Sequence, residues 1–289
     1  MPKTGADTGA VEVFAPAKIN LTLHVTGQRA DGYHLLDSLV VFADVGDKIV
    51  CVPSPRTIFN MLGDFGGDVP RDGTNLVCRA KDLITPEQTA EIWLEKRLPP
   101  ASGIGGGSSD AAATLLACAA AFGKDLPPPA DVLTLGADVP VCLAGRPSRM
   151  SGIGEMVAPV PGLPPLHMVL INPRVEVKTP EVFRALARKD NAPMPAIPEF
   201  ADAWALAGWL ATQRNDLEMP ARGIAPAIGV ALSRLGGWPG CLLARMSGSG
   251  ATCFGLFATR IEADIAAEDL GKLHPDWWVK PASGWTREV

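Results

Sequence analysis

The spacing of hydrophobic and polar positions changes several times along the chain. In residues 19–25, apolar Ile19, Leu21, Leu23 and Val25 alternate with Asn20, Thr22 and His24. A period of two predicts a strand with one buried face. Residues 11–14 predict an earlier strand, with Ala15-Pro16-Ala17-Lys18 as the break between them. Residues 27–32 read as a turn, 35–45 and 48–52 as further strands, and 53–74 as loop. Helical spacing begins at 75–84, with Leu76, Ala80 and Leu83 on one side. Residues 91–98 return to strand and stop at Pro99-Pro100. A glycine- and serine-rich loop follows. An alanine-rich helix then runs over 110–122 and closes at Gly123.

The second half differs. Residues 159–165 hold four prolines in seven positions and mark a linker, dividing the chain into 1–158 and 159–289. Beyond it, strands are predicted at 168–172, 241–246, 252–257 and around 277–279. Helices are predicted at 180–188, 201–213, 224–235 and 261–273. No internal repeat is found. Strands and helices mixed without strict βαβ alternation predict an α+β protein in two parts.

Composition narrows the class. At 47% hydrophobic and 20% charged residues, a core can be buried and global disorder is excluded. Lys and Arg number 26 against 31 Asp and Glu, a formal charge of −5. That argues against a general nucleic-acid binder but leaves room for an acidic substrate at a locally basic site. No stretch reaches the ~20 apolar residues of a membrane span, and residues 1–12 lack an apolar signal core. A cytoplasmic protein without membrane partners is expected. The six cysteines form no C-x-x-C pair and read as small core residues in a reducing compartment. The four histidines show no H-x-x-x-H spacing, so no zinc site is expected.

The most informative segment is Pro99-Pro100-Ala101-Ser102-Gly103-Ile104-Gly105-Gly106-Gly107-Ser108-Ser109, between a strand and a helix. Its glycines let backbone N–H groups approach a ligand, and Ser108 and Ser109 add hydroxyl donors. A helix start preceded by such groups is an anion site suited to a polyphosphate. It is not a G-x-x-x-x-G-K-[ST] loop. Nor is it the dinucleotide fingerprint, because Ser108 stands where a third glycine belongs. Asp64-Phe65-Gly66 spells a protein-kinase metal motif, but no H-R-D or V-A-I-K accompanies it, and it reads as a chance match.

The glycine loop resembles the second motif of the GHMP kinases, which include galactokinase, homoserine kinase and the mevalonate kinases. Ala15-Pro16-Ala17-Lys18-Ile19-Asn20-Leu21, Gly32-Tyr33-His34, Gly136-Ala137-Asp138-Val139-Pro140 and Ser247-Gly248-Ser249-Gly250 extend the match in order from position 15 to 258. Together they are similar to the branch acting on a cytidine diphosphate sugar alcohol. Pro100-Ala101-Ser102 stands where that branch carries more glycine, and Ile104 replaces Leu or Met. Residues 53–72 and 126–134 look short.

The resemblance implies a two-domain α+β GHMP kinase fold. Its ATP-binding domain, 1–158, would be like domain 2 of ribosomal protein S5. Its second domain, 159–289, would be ferredoxin-like and contribute to substrate binding. The implied activity is ATP-dependent phosphorylation of the 2-hydroxyl of 4-diphosphocytidyl-2-C-methyl-D-erythritol, in non-mevalonate isoprenoid precursor synthesis. ATP is the co-substrate and Mg²⁺ is expected with it. The partners are small molecules, not nucleic acid. The sequence marks neither a metal ligand nor an oligomeric state.

The resemblance also distributes roles. Asp138 is the general base, and Lys18 stands beside it to keep it ionised. Asn20 orients the acceptor. Tyr33 stacks on the cytosine, His34 hydrogen-bonds its edge, and Phe183 closes the stack. Thr179 reaches the substrate diphosphate. Asn75 and Lys96 lie near adenine, and Gly248, Ser249 and Gly250 shape the floor near the phosphates. Two alternatives stay open at this point. Another small-molecule GHMP kinase has no reason to carry Gly32-Tyr33-His34, and a non-catalytic ATP-binding relative has no reason to keep both Lys18 and Asp138.

Overall fold

The computed structural model describes residue 1 and residues 9–287; the reading of the N-terminus over 2–8 lies outside the described residues. In chain order the elements are β1 (Val11–Asn20), β2 (His24–Gln28), β3 (His34–Pro53), β4 (Ile58–Leu62), α1 (Leu76–Ile84), β5 (Ala90–Glu95), α2 (Gly106–Phe122), α3 (Pro129–Leu133), α4 (Val139–Ala144), β6 (Ser148–Gly152) and β7 (Met156–Pro159). They continue with β8 (His167–Asn172), α5 (Thr179–Arg184), α6 (Ala203–Ala211), α7 (Glu218–Ile224), α8 (Ala227–Gly236), β9 (Cys241–Met246), β10 (Cys253–Phe257), α9 (Arg260–Leu273) and β11 (Trp278–Trp285). None of the helices among the described residues is long and apolar enough to cross a membrane.

The chain forms two compact units. The first comprises Met1–Ala17, Gly46–Pro100 and Gly105–Gly145. The second comprises Lys18–Val45, Ala101–Ile104 and Arg146–Val289. The proline-rich stretch 159–165 falls inside the second.

In the first unit β4 runs parallel to β5, and β5 runs antiparallel to the later half of β3. Helix α2 packs against α1 and α4. Its alanine-rich face is buried through Ala111, Ala112, Ala113, Leu115 and Ala117, small residues that allow close helix approach. In the second unit β11, β8, β10 and β9 lie side by side, all antiparallel. Helices α8 and α9 cover this sheet. The order of strands and helices from β8 to β11 is the ferredoxin-like arrangement. Val169, Ile171, Ile228, Leu235, Phe257 and Leu270 fill the core between sheet and helices.

The structure corrects several boundaries. Pro16 is no break: β1 runs through it to Asn20. The strands expected at 35–45 and 48–52 are one strand, β3. Gly46 lies within it because the Ala15 carbonyl leaves no room there for a Cβ, so this glycine marks close backbone approach. Residues 19–25 do alternate, but Asn20, Thr22 and His24 are buried as well. The "loop" at 53–74 contains β4, and Asp64-Phe65-Gly66 is a turn at its end, with the Gly66 N–H donating to the Gly63 carbonyl at 3.1 Å. On α1 the buried residues are Val77, Ala80, Lys81 and Ile84, while Leu76 and Leu83 are half-buried. Helix α2 starts at Gly106, earlier than the expected 110. Elements α3, α4, β6, β7 and α7 had no periodic signal long enough to mark them.

Candidate active site

In the first unit the glycine loop delivers the chain to α2. Gly105, just before the helix, is left-handed at φ +63° and contributes no side-chain cap. Its carbonyl accepts from the Ser109 N–H at 2.8 Å. The amides of Gly106, Gly107 and Ser108 have no earlier carbonyl within the helix to bond. Gly106 and Gly107 place no side chain over them. Serine roles divide here. The buried Ser109 hydroxyl donates to the Pro16 carbonyl at 2.7 Å, so it holds the helix start to β1 and is not a spare donor, contrary to expectation. Ser108 is half-buried and its Oγ lies beside Gly136, 3.9 Å from where a Cβ would sit.

Lys96 was expected near adenine. It is 2% exposed. Its ammonium donates to Asp47 and, at 2.8 Å, to Asp110, and the paired carboxylates raise its pKa despite burial. Two of its three N–H donors are thus committed to carboxylates. Asn75 caps α1: its Oδ1 accepts from the Val77 N–H at 2.9 Å and its Nδ2 donates to the Pro70 carbonyl at 2.7 Å. Both polar atoms therefore serve local structure.

Asp138 precedes α4, where Pro140 sits in the first turn, a position whose missing N–H costs nothing. The aspartate does not cap that helix with its side chain. It is half-buried, and α4 packs on α2, which carries the 136–138 turn to the serine end of α2.

In the second unit, residues 101–104 and the Ser247-Gly248-Ser249-Gly250 loop pack backbone to backbone. The Ser102 carbonyl accepts from the Thr252 N–H at 3.0 Å, and the Ile104 carbonyl from the Lys18 N–H at 2.9 Å. The Ser247 hydroxyl accepts from the Asn20 N–H and donates to the Gly103 carbonyl, each at 3.0 Å. Gly248 and Gly250 are left-handed, at φ +56° and +88°. Lys18 is 3% exposed. Asn20 donates through Nδ2 to the Ser38 hydroxyl at 2.8 Å, but its buried Oδ1 has no partner, an acceptor suited to a ligand hydroxyl. Thr179 and Ser249 share a hydrogen bond of 2.8 Å between hydroxyls.

His34 stacks directly on Phe183, with ring centroids 4.5 Å apart and planes at 23°. Burial, then the charge of Lys189, lowers the imidazole pKa below 6.5, so the ring is neutral at pH 7. Its Nε2 is buried without a partner. Tyr33 is 58% exposed. The six cysteines are free thiols.

Three contributors went unnoticed in the sequence. Asp47 and Asp110 bracket Lys96. Asn215 donates to the carbonyls of Met246 and Gly248 at 2.8 and 2.9 Å and so holds the Ser-Gly-Ser-Gly loop from behind. Asp47 sits in an unremarkable Gly-Asp step and Asn215 in an Arg-Asn-Asp run; no spacing rule singles out either.

Comparison with known proteins agrees with this geometry. The GHMP kinases N terminal domain matches residues 75–158 and the GHMP kinases C terminal domain matches residues 196–276. The chain is 60% identical to 4-diphosphocytidyl-2-C-methyl-D-erythritol kinase of Dinoroseobacter shibae, across 93% of each chain. It is 54% identical to the protein of that name from Ruegeria pomeroyi, across 93% of this chain and 97% of the other. A solved 4-(cytidine 5'-diphospho)-2C-methyl-D-erythritol kinase superposes with a TM-score of 0.76 at 35% identity, over 95% of this chain and all of that one. Homoserine kinase from Cytophaga hutchinsonii shares the fold, with a TM-score of 0.67 at 18% identity, over 99% of this chain and 98% of that one. The α+β chain thus belongs to the GHMP kinase family, and within it to the 4-diphosphocytidyl-2-C-methyl-D-erythritol kinases.

Proposed function

We propose that this enzyme transfers the γ-phosphoryl group of ATP to the 2-hydroxyl of 4-diphosphocytidyl-2-C-methyl-D-erythritol. The observation that carries the reading is the start of α2, where left-handed Gly105 leads into a long helix whose first residues, Gly106 and Gly107, lack side chains. Amides and helix dipole together favour phosphate oxygens there. Residues 1–158 then form the ATP-binding domain, and 159–289 contribute to acceptor binding. Free thiols suit a reducing, cytoplasmic setting.

Phosphoryl transfer depends on positioning and charge stabilisation. The acceptor oxygen attacks the γ-phosphorus, its proton passes to Asp138, and the bond to the ADP oxygen breaks. Lys18 contributes positive charge that polarises the acceptor hydroxyl. Asn20 accepts from an acceptor hydroxyl through its unpartnered Oδ1. His34 and Phe183 offer a flat face to the pyrimidine, and Thr179 and Ser249 meet the acceptor diphosphate. Among the described residues no group of three His, Cys, Asp or Glu is placed to hold a metal. Mg²⁺ bound with the nucleotide takes most of its ligands from phosphate and water, and the Ser108 hydroxyl is the protein oxygen available at the helix start. When bound, the ion neutralises phosphate charge.

The test is Asp138→Asn, assayed by ADP release with the cytidine diphosphate acceptor. Turnover should fall about 10²–10⁴-fold with both Michaelis constants little changed. Near wild-type turnover would remove Asp138 as the base.

A further inference from the structure

Three charged side chains are buried together in the first unit without a place in the mechanism above. Asp47, from β3, is fully buried, and Asp110, from α2, and Lys96, which follows β5, nearly so. The Lys96 ammonium donates to one oxygen of each carboxylate. The other Asp47 oxygen accepts from the N–H groups of Arg97 at 2.6 Å and Leu98 at 2.8 Å. These are the last residues before Pro99, where the glycine loop begins. Asp110 lies immediately after Ser109, where it ends. The cluster therefore ties residues 96–98 to residue 110 across the base of the loop.

The ammonium also touches the loop's working end. A Cβ on Gly106 would lie 3.0 Å from Lys96 Nζ and 3.8 Å from Asp47 Oδ2, so the lysine head abuts the first residue of α2. Its backbone is fixed in turn: the Lys96 N–H donates to the Leu62 carbonyl at 2.8 Å, and its carbonyl accepts from Phe65 at 3.2 Å. Stability alone does not account for the arrangement. Buried ion clusters are often no more stable than well-packed apolar residues of similar volume, and here the second oxygen of Asp110 is buried without a partner, an added cost. What a charge cluster gives that an apolar plug does not is directional contact with both flanks of one loop.

We propose that Asp47, Lys96 and Asp110 are positioning residues for ATP, a clamp that fixes the start of α2 so that its amides meet the phosphates. The proposal rests on the reading that this helix start binds ATP. Lys96 acts through Gly106 and the loop.

The experiment uses the full-length enzyme and measures the melting temperature and both Michaelis constants. Lys96→Arg keeps the positive charge but places a larger head against Gly106. Lys96→Met/Asp110→Asn removes the clamp and leaves the Asp47 carboxylate held by two backbone N–H groups. In each, the Michaelis constant for ATP should rise about tenfold or more, since displacements near 1 Å cost up to about 10²-fold. That for the cytidyl acceptor should stay within about twofold. A folded variant with wild-type ATP dependence overturns the proposal. So does an equal rise for both substrates, and so does failure of both variants to fold, which would make the cluster a folding element only. Gly107→Val separates the two readings. Gly107 is exposed and a Cβ there meets only Leu76 at an ordinary 3.6 Å, so this variant should fold and weaken ATP. If it does while the Lys96 variants do not, only the clamp falls; if it spares ATP, the phosphate site itself is misplaced.

Discussion

Gly103→Ala tests the backbone packing of residues 101–104 against the Ser247-Gly248-Ser249-Gly250 loop within the second unit. Gly103 is left-handed at φ +76°, a conformation that costs an alanine about 1–2 kcal/mol. Its new Cβ would lie 2.5 Å from the Ser247 carbonyl oxygen and 2.7 and 2.8 Å from the N and O of Gly250. All three are backbone atoms, so no side chain can rotate away, and overpacking of this kind adds about 1–3 kcal/mol. The sum is about 2–5 kcal/mol, or roughly 4–10 °C at about 2 °C per kcal/mol for a chain of this size. Relief requires the two loops to part. That draws the Gly103 carbonyl off the Ser247 hydroxyl, whose other bond is to Asn20. Both Michaelis constants should therefore rise as well. Gly73→Ala is the control: it has ordinary φ and open space around it, and should shift stability by less than about 0.5 kcal/mol. Thermal melts followed by circular dichroism, with initial rates on the surviving fraction, decide the matter. If Gly103→Ala melted with the wild type, or no lower than Gly73→Ala, the close packing of these loops would be wrong.

Ala101 is also left-handed, at φ +48°. Ala101→Gly relieves about 1–2 kcal/mol of strain against about 0.5–1 kcal/mol of added chain entropy, so the melting temperature should rise slightly; a fall would contradict the strain. Phe183→Ala removes the ring stacked on His34 and should raise the acceptor Michaelis constant about tenfold to a hundredfold without moving that for ATP. Tyr33→Ala, at an exposed ring, should do less, and the reverse ranking would return the stacking role to Tyr33. Burial lowers the imidazole pKa of both His24 and His34 below 6.5. As pH falls through 6.5 the unfolded chain takes up these protons first, so stability is full above that value and declines below it, until the folded pKa values are reached. Denaturant melts from about pH 7.5 to 5.5 should show a shallower decline for His24→Gln/His34→Gln, and an unchanged slope would refute the assignment.

What was legible in the sequence was what local chemistry expresses. The glycine loop announced a helix start, Gly123 a helix end, and the β8–β11 segments their periods. What was hidden depended on distant neighbours. Lys96 reads as a charge on a strand end; only the approach of Asp47 and Asp110 makes it a buried post. Ser109 reads as a phosphate donor until β1 brings the Pro16 carbonyl to 2.7 Å. Gly46-Asp47 reads as a turn between strands, yet the glycine is needed for a passing carbonyl and the aspartate for the N–H groups of Arg97 and Leu98. Likewise only the fold brings the His34 ring onto Phe183, while Tyr33 beside it stays exposed.

The start of α2 shows why such a misreading falls where function does. Periodicity places the helix at 110 because its continuous apolar face begins at Ala111. Gly106-Gly107-Ser108-Ser109 has poor helix propensity, about 1 kcal/mol per glycine relative to alanine. These residues are helical nonetheless. Left-handed Gly105 turns the chain in, Ser109 bonds to the Gly105 carbonyl and to Pro16, and Lys96 braces Gly106 from beneath. Alanines at 106 and 107 would make a better helix and a worse site: at 106 the Cβ would press on the lysine, and at 107 a methyl group would stand at the exposed end among the amides. The local conflict is therefore what leaves the amides uncovered, as the proposed phosphate site requires, and tertiary contacts from β1, β3 and the end of β5 are what hold it in place.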